Sequence, residues 1–147
     1  MTNDKTPAVP VTSLEELQEL LAASSFAAPY RMRVHAITHG SCTLAVPFLP
    51  ELERPGGISS GQVFMAAADV AMWLAIKTVR GLEDPSVTSH MQTHFLHPAR
   101  REGFLCSATI VRLGRRTAFG TAECVSEGGR LLTHHTLSYT VPALPPA

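Results

Sequence analysis

One acidic side chain interrupts an otherwise apolar run: of the fourteen residues from Val63 to Ile76, thirteen are apolar and the exception is Asp69. Its neighbours at three and four residues are Met65, Ala66, Met72 and Trp73. An ionised carboxylate in that company costs several kcal/mol unless something pairs with it. It is either a structural hydrogen bond to a strand or a neighbouring subunit, or a general base or nucleophile beside a cleft. Ser60-Gly61-Gln62 opens the same run. If the run is a helix, the N–H groups near Gly61 and Gln62 lack intrahelical partners and lie at the positive end of the dipole, where they could polarise a carbonyl oxygen. Gly61 would let a ligand approach that backbone, though it also reads as an ordinary glycine at a helix start. Eight residues of helix span about 12 Å, whereas a base and oxyanion donors must converge within roughly 3 Å of one reacting group. One helix cannot supply both. Two antiparallel helices about a two-fold axis could, so an active site of this kind implies at least a dimer.

The elements that must hold these groups follow from spacing. Ser13-Leu-Glu-Glu16 has the form of a capping box, and Leu14, Leu17, Leu20 and Leu21 continue it as a short amphipathic helix. From Tyr30 to Phe48, Met32, Val34 and Ala36, then Cys42, Leu44 and Val46, alternate around His39-Gly40, which predicts a hairpin. Leu52 to Ser60, with Arg54-Pro-Gly-Gly57, is a turn-forming stretch that delivers cap residues to the apolar helix. That helix, apolar all round, is expected to be buried all round as the axis of the core. Strand character returns over Val87–Leu96, Phe104–Leu113, Thr117–Val125 and Leu131–Val141, and the short connections predict antiparallel neighbours. The expected class is α+β, one domain over residues 13–141 between a flexible segment 1–12 and a Pro-rich tail 142–147.

Composition narrows the function. The chain has 147 residues, 45% of them apolar, and no formal net charge, so one domain can bury a sizeable core and no global field attracts nucleic acid or an anionic membrane. The run from Val63 to Ile76 is too short to span a bilayer, and the first dozen residues do not read as a secretory signal. Cys42, Cys106 and Cys124 show no pairing pattern, which fits a soluble protein of a reducing cytoplasm. The seven histidines suggest no metal site: His90 and His94 lie about 13 Å apart along a strand, and His134 and His135 point to opposite faces. Ser59 and Ser60 lack a nucleophile elbow and read as caps, while Trp73 and the methionines read as core.

Ser60-Gly-Gln-Val-Phe-Met-Ala-Ala-Ala-Asp69-Val-Ala-Met72, followed by Met91-Gln-Thr-His-Phe-Leu-His-Pro-Ala99 and Arg112-Leu-Gly-Arg-Arg-Thr117, resembles the hot-dog-fold acyl-CoA thioesterases of the phenylacetate-pathway (PaaI-like) type. The resemblance covers roughly Tyr30 to Val141. It implies an antiparallel sheet wrapped around one long central helix, and hydrolysis of an acyl-CoA thioester to free acid and coenzyme A. Asp69 would then activate water or attack the carbonyl, backbone N–H groups of the Gly61–Gln62 region would stabilise the oxyanion, and the Thr88 hydroxyl would help to orient water. Substrate contacts would come from Ser60 and Arg54 near the thioester, and from Arg100, Arg112, Gly114, Arg115 and Arg116 around the phosphorylated carrier. No cofactor is implied, since coenzyme A is part of the substrate; the assembly would be a homodimer or a dimer of dimers. The chain departs from the common His-Gly-Gly helix start by carrying Ser60-Gly61-Gln62. Rival readings are a non-catalytic acyl-CoA binding module and an enoyl-CoA hydratase of the same fold, although the Asp and His pair that a hydratase would want is missing after the helix start.

Overall fold

A computed structural model describes residues 8–142. Helix α1, Leu14–Ala23, begins at the Ser13 capping box, in which Ser13 Oγ accepts the Glu16 N–H and Glu16 Oε1 accepts the Ser13 N–H. Its Leu17 and Leu21 are buried. The hairpin follows as β1, Arg33–Thr38, and β2, Ser41–Val46. A bulge between Val34 and Ala36 turns Ile37 rather than Ala36 toward the core. After a two-residue hairpin of β3, Glu53–Arg54, and β4, Ile58–Ser59, comes the central helix α2, Gly61–Arg80. Strands β5 (Val87–Phe95), β6 (Phe104–Leu113), β7 (Thr117–Ser126) and β8 (Leu131–Thr140) complete the chain.

The six long strands form one antiparallel sheet in the order β1-β2-β6-β7-β8-β5, curled around α2. This is the hot-dog architecture. Gly120 on β7 is what allows the helix so close: a Cβ there would lie 2.3 Å from Met72 Cε and 2.5 Å from the Thr109 carbonyl oxygen. Cys42, Cys106 and Cys124 are free thiols within this core, each fully buried. With 20 residues and an 18-residue stretch of mean hydropathy 1.3, α2 is long and apolar enough to cross a membrane, but 67% of that stretch is buried within the fold.

Three expectations are corrected. β5 does not lie beside β6; it pairs with β8 at the far edge, because residues 96–103 cross the end of the sheet. There the Leu96 and His97 N–H groups both donate to the Leu132 carbonyl, and the Ser59 N–H donates to that of Ala99. Secondly, α2 is not buried all round. Gln62 and Met65 are exposed, and Ala66, Asp69 and Trp73 are half-buried, making one open stripe along the helix. Thirdly, residues 11 and 12 of the expected flexible segment are tied to the helix end, the Val11 N–H donating to the Thr78 carbonyl at 2.8 Å and Thr12 Oγ1 to that of Lys77 at 3.2 Å. Residues 1–7 of that segment and residues 143–147 of the tail lie outside the described residues.

Candidate active site

Asp69 sits at the middle of the open stripe of α2, and strands β5 and β8 bring two hydroxyls to it. Thr88 and Tyr139 are register partners on these strands. Thr88 Oγ1 donates to Asp69 Oδ1 at 2.6 Å. The Tyr139 hydroxyl donates to the same oxygen at 2.5 Å and to the Asp69 carbonyl at 2.7 Å. Burial, reinforced by the charge and hydrogen bond of Asp69, holds the Tyr139 phenol far above its usual range, so it remains a donor. Two hydroxyls thus compensate the carboxylate that the surrounding apolar side chains would otherwise disfavour.

A bulge at Ser89 makes this convergence possible. In a regular strand Thr88 and Met91, three residues apart, would face opposite sides; here the register slips between Thr88 and His90, so both turn toward the helix. Around Asp69 lies a cleft of about 260 Å³, bounded also by Phe26, Val70, Trp73, Ser86 and Val87. Phe26 packs edge-on against Trp73, with ring centroids 5.5 Å apart. Trp73 packs against the core and, half-buried, also walls this cleft; Met72 is fully buried as expected, whereas Met65 is exposed and not core. Ser86 Oγ is buried without a partner among the described residues. Among the described residues the one lysine, Lys77, is engaged elsewhere: its Nζ stands 5.0 Å from the Trp73 ring centroid and donates to the Leu82 and Asp84 carbonyls, both at 2.9 Å. Burial pulls its pKa down, against the opposing charges of Asp84 and Glu83.

The start of α2 borders a different cleft, of about 440 Å³, lined by Arg54, Ser59, Gly61, Phe64, Phe95 and His97 among others. Ser60 occupies the cap position by its backbone, yet its side chain makes no cap bond, contrary to the expected role. Among the described residues the Gly61 and Gln62 N–H groups have no backbone or side-chain acceptor. The ring of Phe95 closes over Gly61, 3.2 Å from where a Cβ would stand. In one chain, then, the carboxylate and the free amides open into separate clefts. The arginines divide likewise. Arg54 lines the amide cleft, and the exposed Arg100 pairs by its backbone with Ile58 nearby. Arg112, Gly114, Arg115 and Arg116 lie at the β6–β7 turn, at the end of the sheet that holds Thr88 and Tyr139. Gly114 is engaged there by its carbonyl, which accepts from Arg80.

A carboxylate gripped by hydroxyls beside a partly apolar cleft, with free helix amides elsewhere on the same surface, is a constellation for carbonyl chemistry. The family description "Thioesterase superfamily" matches residues 56–133, more than half of the chain; the match takes in Gly61, Asp69 and Thr88, while Phe26, Arg54 and Tyr139 lie outside it. This protein belongs to the thioesterase superfamily. The chain is similar to a "Putative esterase" of Thermoplasma acidophilum, 25% identical over 86% of this chain and 96% of that one. Among solved structures it is similar to a mutant of the phenylacetic acid degradation protein PaaI of Thermus thermophilus, with 27% identity, a TM-score of 0.73, and 81% and 100% of the two chains covered. It shares the fold of a thioesterase from Haemophilus influenzae at 23% identity and a TM-score of 0.79, over 92% of this chain and 94% of that one. Membership of the superfamily supports a hydrolase of the thioesterase type.

Sequence reasoning singled out Asp69, Gly61, Gln62 and Thr88 and missed Tyr139, Trp73 and Phe26. Tyr139 carried a usable signal: it is in phase with Leu137 on the inward face of β8, and an inward phenol needs an acceptor.

Proposed function

We propose that this protein hydrolyses an acyl-CoA thioester to the free acid and coenzyme A, with Asp69 as general base or nucleophile and the partner subunit's helix amides as the oxyanion hole. The observation that carries this is the grip of Thr88 and Tyr139 on Asp69 beside a cleft, in a chain of the thioesterase superfamily. As a base, Asp69 takes a proton from water as the water oxygen bonds to the thioester carbon. The carbonyl oxygen becomes an oxyanion that accepts from the Gly61 or Gln62 N–H of the other subunit. The tetrahedral intermediate then re-forms its C=O and expels the coenzyme A thiolate, which takes up a proton. As a nucleophile, Asp69 would instead bond to the thioester carbon and expel the coenzyme A thiolate, leaving a mixed anhydride that water cleaves to the free acid and the Asp69 carboxylate. No cofactor takes part, coenzyme A being part of the substrate.

Two features support a homodimer, alone or paired into a dimer of dimers. The carboxylate and the amides lie in separate clefts of one chain, and β5 ends the sheet, leaving one side of its backbone open to another strand. Arg54 and Ser60 would meet the thioester end of the substrate, and Arg100, Arg112, Arg115 and Arg116 its phosphates, with Gly114 giving the turn its shape. Coenzyme A as the carrier and three free thiols suit the cytoplasm.

The test is release of free thiol from a panel of acyl-CoA esters. The wild-type protein is expected to turn over at least one of them, and Asp69→Asn to lower kcat by about 10²- to 10⁴-fold. Equal turnover by Asp69→Asn would end the proposal. Tight acyl-CoA binding that survives Asp69→Ala, with no hydrolysis by the wild type, would make the protein a binding module instead.

A further inference from the structure

Tyr139 touches Asp69 twice, and the way it does so bears on which carboxylate oxygen works. Its single phenolic proton is shared between Oδ1, at 2.5 Å, and the main-chain carbonyl of the same residue, at 2.7 Å. Thr88 delivers a second proton to Oδ1 from β5, at 2.6 Å. Two donors occupy the accepting directions of that oxygen, while Oδ2 has no donor among the described residues. The phenol therefore links the carboxylate to its own turn of helix, and the strand pair β5–β8 fixes the angle at which the side chain leaves α2. With Tyr139 only 3% exposed, the hydroxyl is also shielded from water that would compete for its proton.

We propose that Tyr139 is a positioning residue for the reaction above: together with Thr88 it saturates Oδ1 and leaves Oδ2 as the oxygen that accepts the proton of water or attacks the thioester carbon. This rests on the thioesterase reading and adds to it a residue, a direction and a named atom. A buried phenol also needs an acceptor merely to be stable, so what distinguishes positioning from packing is how catalysis changes when the hydroxyl alone is removed. Both donors stabilise the ionised carboxylate. The groups that face it are Thr88 from β5 and Tyr139 from β8; Phe26, Val70, Trp73, Ser86 and Val87 complete the cleft, and none of these five ionises. Lys77, further along α2, is held by the Leu82 and Asp84 carbonyls.

The decisive variant is Tyr139→Phe, which keeps the ring and deletes the proton. On whichever acyl-CoA the wild type hydrolyses, kcat is expected to fall about 10- to 100-fold with KM changed less than about twofold. An unchanged kcat, or a change in KM alone, would overturn the positioning role even while Asp69→Asn is inactive. An active Asp69→Asn would instead overturn the thioesterase mechanism on which the inference rests. Should Tyr139→Phe not fold, a fluorinated tyrosine at position 139 retains the packing and sharpens the donor. Because that variant keeps the donor, kcat is expected to stay within about threefold of the wild type at unchanged KM, and a loss of tenfold or more overturns the proposal.

Discussion

Asp69 is legible in the sequence because it is a chemical outlier: thirteen apolar neighbours make one carboxylate conspicuous, and burying it without partners would be costly. Its partners are harder to read. Thr88 looks like any strand threonine, since only the bulge at Ser89 turns it inward in company with Met91. Trp73 fits a helical apolar period and so reads as core, yet it stands on the stripe that the sheet leaves uncovered. The cysteines illustrate the opposite case, in which type and spacing suffice. Burial pushes the Cys42 thiol up to about 12, and Cys106 and Cys124 are equally shut off from solvent. The native protein is therefore expected to consume no aromatic disulfide reagent at pH 8 within the minutes of an assay, and three equivalents per chain once unfolded in denaturant. Rapid consumption of even one equivalent by the folded protein would contradict the buried placement of these thiols. The expected outcome also means that coenzyme A release can be followed with the same reagent without a protein background.

At the scale of elements, the segment boundaries follow the alternation and the turns closely, because strands β6, β7 and β8 are joined by short connections that leave little choice of neighbour. The position of β5 was not legible in this way. Its eight-residue connection to β6, residues 96–103, is long enough to cross the sheet end, and local spacing carries no information about which edge it reaches. That crossing matters for the site, since it carries Phe95 over Gly61 and sets β5 beside β8, where Thr88 meets Tyr139. The contact between helix and sheet has a similarly specific requirement at Gly120. Gly120→Ala would set a Cβ against Met72 Cε, which can move, and against the Thr109 carbonyl oxygen, which belongs to the neighbouring strand and cannot move without disturbing the ladder. The expected cost is about 1–3 kcal/mol of unfolding free energy, read from the midpoint of a urea transition. Pairing it with Met72→Ala would relieve only the side-chain part of the clash. A Gly120→Ala protein as stable as the wild type would show that α2 does not approach β7 so closely.

For the whole molecule, the question is whether one chain can work alone. The amides at the start of α2 and the carboxylate two turns later open into different clefts, and the helix is too rigid to fold one onto the other. A composite site across a two-fold axis can be tested by combining two inactive proteins. Gly61 is the first helical position, where proline suits the backbone, so Gly61→Pro deletes one N–H, with Gly61→Ala as the control for the Phe95 ring that any Cβ there must displace; Gln62→Pro deletes the next. Whichever abolishes turnover identifies the oxyanion donor. Co-expressed with Asp69→Asn, that variant forms mixed dimers in which one site joins an intact Asp69 to an intact amide and the other site carries both lesions. With random assortment half of the dimers are mixed and half of their sites are whole, so about a quarter of the wild-type kcat should return from two proteins that have none. The separately purified variants, mixed without subunit exchange, should stay inactive. If the co-expressed protein is equally inactive, although tagged chains prove that mixed dimers are present, base and oxyanion donor do not come from different subunits, and Asp69 must find its electrophilic partner within its own chain.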